Sequence, residues 1–322
     1  MPSAITHCLC GEIALNSAES NINKLINKNR PAFFSGCQGP DFLMYYHILP
    51  WQSQKGAKEI RKLSSKLHEK KVNEFFSNML HKAIESNDEN LIAYVAGFLC
   101  HHSLDSIAHP YIYYFTDSVK GISDYSHQRF ESQIDFGILN CYKLTVNDYV
   151  IDQKVKKIKK GRDVIADSLK ETINELYDVN VNRKQMITGL DNMATVLKLL
   201  KDPDGKRYKF IEKVENIFNK SGMGTSMIIP QTYDNKLDAM NYRRDKWYYP
   251  ADETKSFNVD FQYLFNEAVD KTKNEFDLLG QIIELKQDIS QLLKTIDNRS
   301  YATGLNKEAE MTCFAKDRKA EK

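Results

Sequence analysis

Several common features are missing from this 322-residue chain, and each absence narrows what it can be. It has no charge excess of one sign: 45 lysines and arginines face 43 aspartates and glutamates, for a formal net charge of +2. That balance supplies no general attraction for a polyanion, so no stable nucleic-acid binding is expected. It has no uninterrupted apolar run of about eighteen residues or more, so no membrane span is predicted. The opening stretch, MPSAITHCLCGEIAL, lacks the charged and then apolar regions of a secretory signal, which points to the cytoplasm. The six cysteines contain no CxxC pair, and Cys8 and Cys10 are too close in sequence for an ordinary bridge. All six therefore read as reduced thiols, most of them buried. No internal repeat is found, and no convincing alternation of apolar and polar residues marks a strand.

What is present is helical periodicity almost throughout. It predicts helices over 4–28, 55–86, 90–108, 125–144, 151–178, 184–201, 206–220, 233–246 and 258–296. SGCQGPDF (35–42) and SGMGTSMIIPQTY (221–233) read as loops. RRDKWYYPAD (243–252) reads as a helix end whose aromatics make a core contact. The expectation is an all-α protein: one multi-helix domain over 1–306, followed by a charged, frayed tail over 307–322.

Histidine is the most unevenly distributed residue. All eight lie at positions 7, 47, 68, 81, 101, 102, 109 and 127, and none follows. Three fall in the apolar stretch AYVAGFLCHHSLDSIAHPYIYY (93–114), where an ionisable group is costly to bury without a partner. On one helix, His101, Asp105 and His109 are spaced i, i+4, i+8 and share a stripe. With a rise of about 1.5 Å per residue, His101 and His109 are roughly 12 Å apart, too far to share one ion but able to serve two. His127 and Glu131 repeat the i, i+4 spacing on the next helix. Packed against the first, they complete with His109 a three-ligand set with an open position.

Upstream candidates are Asp41 in a Gly-Pro loop, His68 on a polar helix face, and His7. The last lies near the amine that Pro2 would expose once Met1 is removed. His47, six residues from Asp41, competes with His68. His81 fits an ordinary solvated histidine, and His102 a supporting position beside the ligands. The aromatic-rich segment PYIYYFTDSVKGISDY (110–125) is a candidate wall for a substrate cleft.

These residues carry a resemblance. AITH, GPD, LHEKKVNEFF, GFLCHHSLDSIAHPYI and HQRFE are similar to the motifs of the zinc-dependent phospholipase C family. That family shares an all-helical, trinuclear-zinc architecture with single-strand-specific nucleases. The resemblance covers about residues 1–140 and implies three zinc ions. The amine of Pro2 and His7 would bind one, with Asp105 bridging; Asp41, His68 and His101 would hold the second; His109, His127 and Glu131 would hold the third. It also implies hydrolysis of a phospholipid or related phosphoester by activated water, with Asp41 orienting the water or accepting its proton, and transient contact with a membrane surface. A nuclease or nucleotidase of the same superfamily, or a helical binding protein merely stabilised by metal, are the alternatives. A metal phosphohydrolase of the HD type is disfavoured, because no adjacent His-Asp pair occurs.

Overall fold

The computed structural model describes residues 4–116, 125–217, 222 and 224–315. Among the described residues the protein is all-α apart from one small hairpin. Its axis is α6 (Glu89–Thr116), a 28-residue helix surrounded by α1 (Ala4–Ser17), α3 (Arg30–Gly36), α5 (Val72–Ser86), α7 (Ser126–Cys141) and α12 (Phe261–Leu285). By length and composition α6 could cross a membrane, but its apolar window is 94% buried within the protein. Its apolarity is that of a core helix: Tyr94, Phe98, Leu99 and Leu104 are all buried. Each such side chain contributes about 1.5–3 kcal/mol relative to exposure.

Several helices expected as single rods are broken by local chemistry. The 4–28 stretch divides into α1 and α2 (Ile22–Lys28), because the Asp277 carboxylate accepts from the backbone N–H groups of Glu19 and Ser20. The 55–86 stretch divides into α4 (Ala57–Glu69) and α5 at Lys71, whose φ of 59° is left-handed. The 258–296 stretch breaks in the same way at Lys286 (φ 52°), separating α12 from α13 (Ser290–Ile296). The 151–178 stretch keeps only α8 (Ile151–Lys154) and α9 (Arg162–Tyr177). Two helices, α10 (Arg183–Leu200) and α11 (Lys206–Ile217), lie close to their expected bounds, with 218–220 outside the described residues.

Three local readings need correction. The segment 35–42 is not a loop: α3 ends at Gly36, and Gly39–Tyr45 form a 3-10 helix. The segment 233–246 is not a helix. There the Asp238 carboxylate accepts from the N–H groups of Tyr242 and Arg243 and from the Tyr233 hydroxyl, the side-chain competition that turns backbone away from helix. Just beyond, β1 (Trp247–Tyr249) pairs antiparallel with β2 (Asp252–Phe257). Trp247 is buried there against Tyr111 and Phe257, so the expected aromatic core contact is made from a strand. In the segment 307–322 the chain is exposed over Lys307, Glu308 and Glu310 but packs onto the protein at 312–314 rather than fraying throughout. Cys313 and Phe314 are buried and Thr312 N–H donates to the Pro250 carbonyl, while 316–322 lie outside the described residues.

Candidate metal centre

The stripe on α6 meets three other elements at one place. Asp105 is buried, and four imidazoles surround its carboxylate. His101 Nε2 lies 3.0 Å from Oδ2, His7 Nε2 3.2 Å from Oδ1, and His109 Nδ1 and His68 Nε2 3.6 and 3.7 Å from Oδ2. α1 brings His7, α4 brings His68, and the 3-10 helix brings Asp41, whose Oδ1 is 3.3 Å from His68 Nε2 and whose Oδ2 is 3.9 Å from His101 Nε2. At the other end of the stripe, Glu131 Oε1 on α7 lies 3.1 Å from His127 Nε2 and 3.6 Å from His109 Nε2.

The donor atoms fall into three groups: His7, His101 and Asp105; Asp41, His68 and His101; and His109, His127 and Glu131. Every described residue expected at the site is thus in one of them. Pro2 lies outside the described residues. Of the two candidates beside Asp41, only His68 reaches it. His47 sits in a left-handed turn (φ 50°), stacks on Tyr46 and donates its Nδ1–H to the Ser53 carbonyl. His81 is exposed on α5 and bonds only its own helix.

The hydrogen bonds behind the site fix the ring tautomers. Nδ1 of His68, His101 and His109 donate to the carbonyls of Ser64 (2.7 Å), Cys37 (3.2 Å) and Tyr301 (2.9 Å). A carbonyl can only accept, so in the neutral ring each Nε2 keeps a bare lone pair facing the cluster, as a metal-binding imidazole requires. Four buried atoms there have no hydrogen-bond partner: His7 Nδ1, His101 Nε2, Asp105 Oδ2 and Glu131 Oε2. His101 Nε2 and Asp105 Oδ2 approach to 3.0 Å without hydrogen-bond alignment. An unpaired buried group costs about 1–3 kcal/mol. Several together, all imidazole nitrogens and carboxylate oxygens, form a donor set that fits zinc.

The electrostatics agree. Burial alone would raise the Asp105 carboxyl, but His101, His109 and His7 hold it well below the usual carboxylate range. Glu131 is lowered against its own burial by His127 and His109. Burial would lower His109, yet Asp105 and Glu131 raise it to about 9. The carboxylates favour positive charge on the His101 and His109 rings, the charge that a divalent cation would replace, while burial lowers His68.

Two features of the site go beyond the expected ligands. Gly39 has a left-handed φ of 51°, and a Cβ there would sit 2.0 Å from Cδ2 of His101. The Gly-Pro turn therefore makes room for the ring as well as presenting Asp41. The second is the turn at 299–304. Tyr301 packs its ring against His68 and His102, while its N–H donates to the His68 carbonyl. The Arg299 carbonyl accepts from His102 Nε2, so His102 is held beside the donors and not among them. Gly304 (φ 64°) abuts the Ser106 carbonyl, the group that Pro110 deprives of its helical donor.

A third support holds α1. The buried Asp135 carboxylate, two turns beyond His127 on α7, accepts from Thr6 N–H (2.8 Å), Thr6 Oγ1 (2.5 Å) and Ile5 N–H (3.4 Å). It caps the first turn of α1 immediately before His7.

The model of the zinc dependent phospholipase C family matches residues 6–182, more than half of the chain and all the described donors. The chain belongs to that family. Its membership and the three donor groups together support a zinc-dependent phosphoesterase. No curated protein and no solved structure gives a match.

Proposed function

We propose that the protein is a zinc-dependent phosphodiesterase that hydrolyses a phospholipid or a related phosphoester. The observation that carries this reading is the convergence of unpartnered imidazole and carboxylate atoms around Asp105. His7 and Asp105, with the amine of Pro2, would hold one zinc ion; Asp41, His68 and His101, with Asp105 between the two, a second; His109, His127 and Glu131 a third. When bound, such ions supply charge neutralisation at phosphate oxygens and lower the pKa of a bound water.

The chain's own residues do the rest. Asp105 is fixed by its neighbours and needs no rearrangement to stand between two donor groups. Asp41 is the carboxylate at the edge: its side chain keeps 15% of its surface exposed, against 6% for Asp105. It can therefore meet both an incoming water and the donor cluster, and it orients that water for in-line attack at phosphorus and accepts its proton. His109 and His127 stand on the far side of Asp105, beside the Tyr113 ring, where the leaving oxygen would depart. Of the 110–125 wall expected from sequence, 117–124 lie outside the described residues.

The test is hydrolysis of phosphatidylcholine, of a soluble chromogenic phosphodiester and of single-stranded DNA by zinc-loaded protein. Cleavage of the lipid and the soluble diester supports the reading. Preferential cleavage of DNA would move the protein to the nuclease branch, and turnover of none of the three would leave a metal-stabilised binding protein.

A further inference from the structure

The helix α11 shows an unusual division of its faces. Its outward side carries Phe210 (68% exposed), Val214 and Ile217 (76% exposed), spaced i, i+4, i+7 along one stripe. Leu199, at the end of α10, is also exposed, and its carbonyl accepts from Arg207. Around this apolar stripe the helix places only cations: Lys206, Arg207, Lys209 and Lys213 are all exposed. Lys206 pairs with Asp204 in the preceding turn, while Lys209 and Lys213 have no ion pair among the described residues. The acids of α11, Glu212 and Glu215, lie on the other side of the helix.

This face is held outward by construction. At the helix start, the Asp202 carboxylate accepts from the N–H groups of Arg207 and Tyr208. Near its end, buried Glu215 accepts from Gly222 N–H, Thr225 N–H and Thr225 Oγ1. The inner face is thus anchored at both ends, and the apolar stripe gains nothing from the protein's own core. Large aromatic and aliphatic side chains flanked by lysine and arginine, with acids turned away, match an interfacial helix that lies in the surface of an anionic bilayer.

We propose that the outer face of α11 docks the protein on an anionic phospholipid surface, with Phe210, Val214 and Ile217 entering the acyl boundary and Lys209 and Lys213 meeting lipid phosphates. The inner side of α11 lines a cleft with the start of α7, between Tyr208 and Glu212 on one wall and Tyr125, Ser126 and Arg129 on the other. That is the helix whose first turn carries His127. The cleft thus lies between the docked helix and the end of α7 that carries one side of the donor cluster. Binding stands on the helix alone; its use in delivering substrate rests on the phosphoesterase reading.

The experiment is sedimentation of the full chain with vesicles of phosphatidylcholine alone and of equal parts phosphatidylcholine and phosphatidylserine. The wild type is expected to partition to the anionic vesicles more strongly than to the neutral ones. Phe210→Ser/Ile217→Ser is expected to lower that partition by about tenfold or more. Lys209→Glu/Lys213→Glu, which leaves the apolar stripe intact, should lower it by at least about fivefold per lysine. Both variants should keep the wild-type turnover of a soluble chromogenic phosphodiester, which reports the metal centre separately. Wild-type protein that ignores anionic vesicles, or variants that bind them as tightly as wild type, would overturn the proposal. So would a concentration-dependent dimer in the wild type that both variants abolish, since the face would then be covered by a second copy.

Discussion

Nδ1 of His109 donates to the backbone carbonyl of Tyr301 over 2.9 Å, joining residues 192 apart in sequence. The bond fixes the tautomer of a ring in one donor group, and the Tyr301 ring packs beside His68 in another. A turn without any ionisable side chain in the cluster thus orients two of its donors.

Tyr301→Ala is accordingly expected to act on both stability and metal. The side chain is buried, and loss of a large aromatic of this kind costs about 3–5 kcal/mol. Calorimetric unfolding should show a lower Tm, and equilibrium dialysis should show zinc retained less tightly than in wild type. An unchanged zinc affinity would confine the turn to a packing role.

Gly39→Ala places a methyl group against the His101 ring at a left-handed backbone position. The expected cost is about 1–3 kcal/mol from strain alone. Metal analysis should show loss from the Asp41, His68 and His101 group, because the ring must move to admit the methyl. Full zinc content with an unaltered Tm would refute this use of the Gly-Pro turn.

Asp135→Ala removes the acceptor of three bonds from the start of α1. Leaving those buried donors unpaired should cost about 2–3 kcal/mol. The slackened first turn should also weaken zinc binding at His7, read as a higher zinc dissociation constant in competition with a fluorescent chelator. A variant that loses stability but holds zinc as wild type does would show that Asp135 is a cap and no more.

How much of this was legible beforehand follows from the range of each interaction. The i, i+4 pairs on α6 and α7 are local, so spacing alone separated His101 from His109 and paired His127 with Glu131, and packing of the two successive helices added His109 to that pair. His68 and Asp41 required two elements to meet, and only the family resemblance preferred His68 to His47. Tyr301, Gly304 and Asp135 act across more than a hundred residues through backbone groups, which leave no periodic trace in sequence. Two of the broken helices share one cause: lysines at 71 and 286 adopt left-handed turns that their residue type does not announce. The expected strand-free chain missed β1 and β2 because a hairpin this short has almost no alternation to detect.

His102 supplies a pH prediction. Burial, reinforced by Lys271, holds its ring well below the usual histidine pKa. A depressed folded pKa means the neutral ring stabilises the fold above the unfolded value near 6.5, and this contribution is lost as pH falls below it. In protein stripped of metal, wild type minus His102→Gln stability should therefore decline on acidification from neutral pH toward 5. Urea melts at a series of pH values measure it, and parallel pH profiles for the two proteins would contradict it.

The most direct measurement is metal content of protein purified without chelators at neutral pH with zinc supplied. With three donor groups, two of them sharing His101 and one of these containing Asp105, about three zinc ions per chain are expected, falling by at least about one in Asp105→Ala. A wild-type protein that binds no zinc under these conditions would contradict the assignment of the cluster as a metal centre.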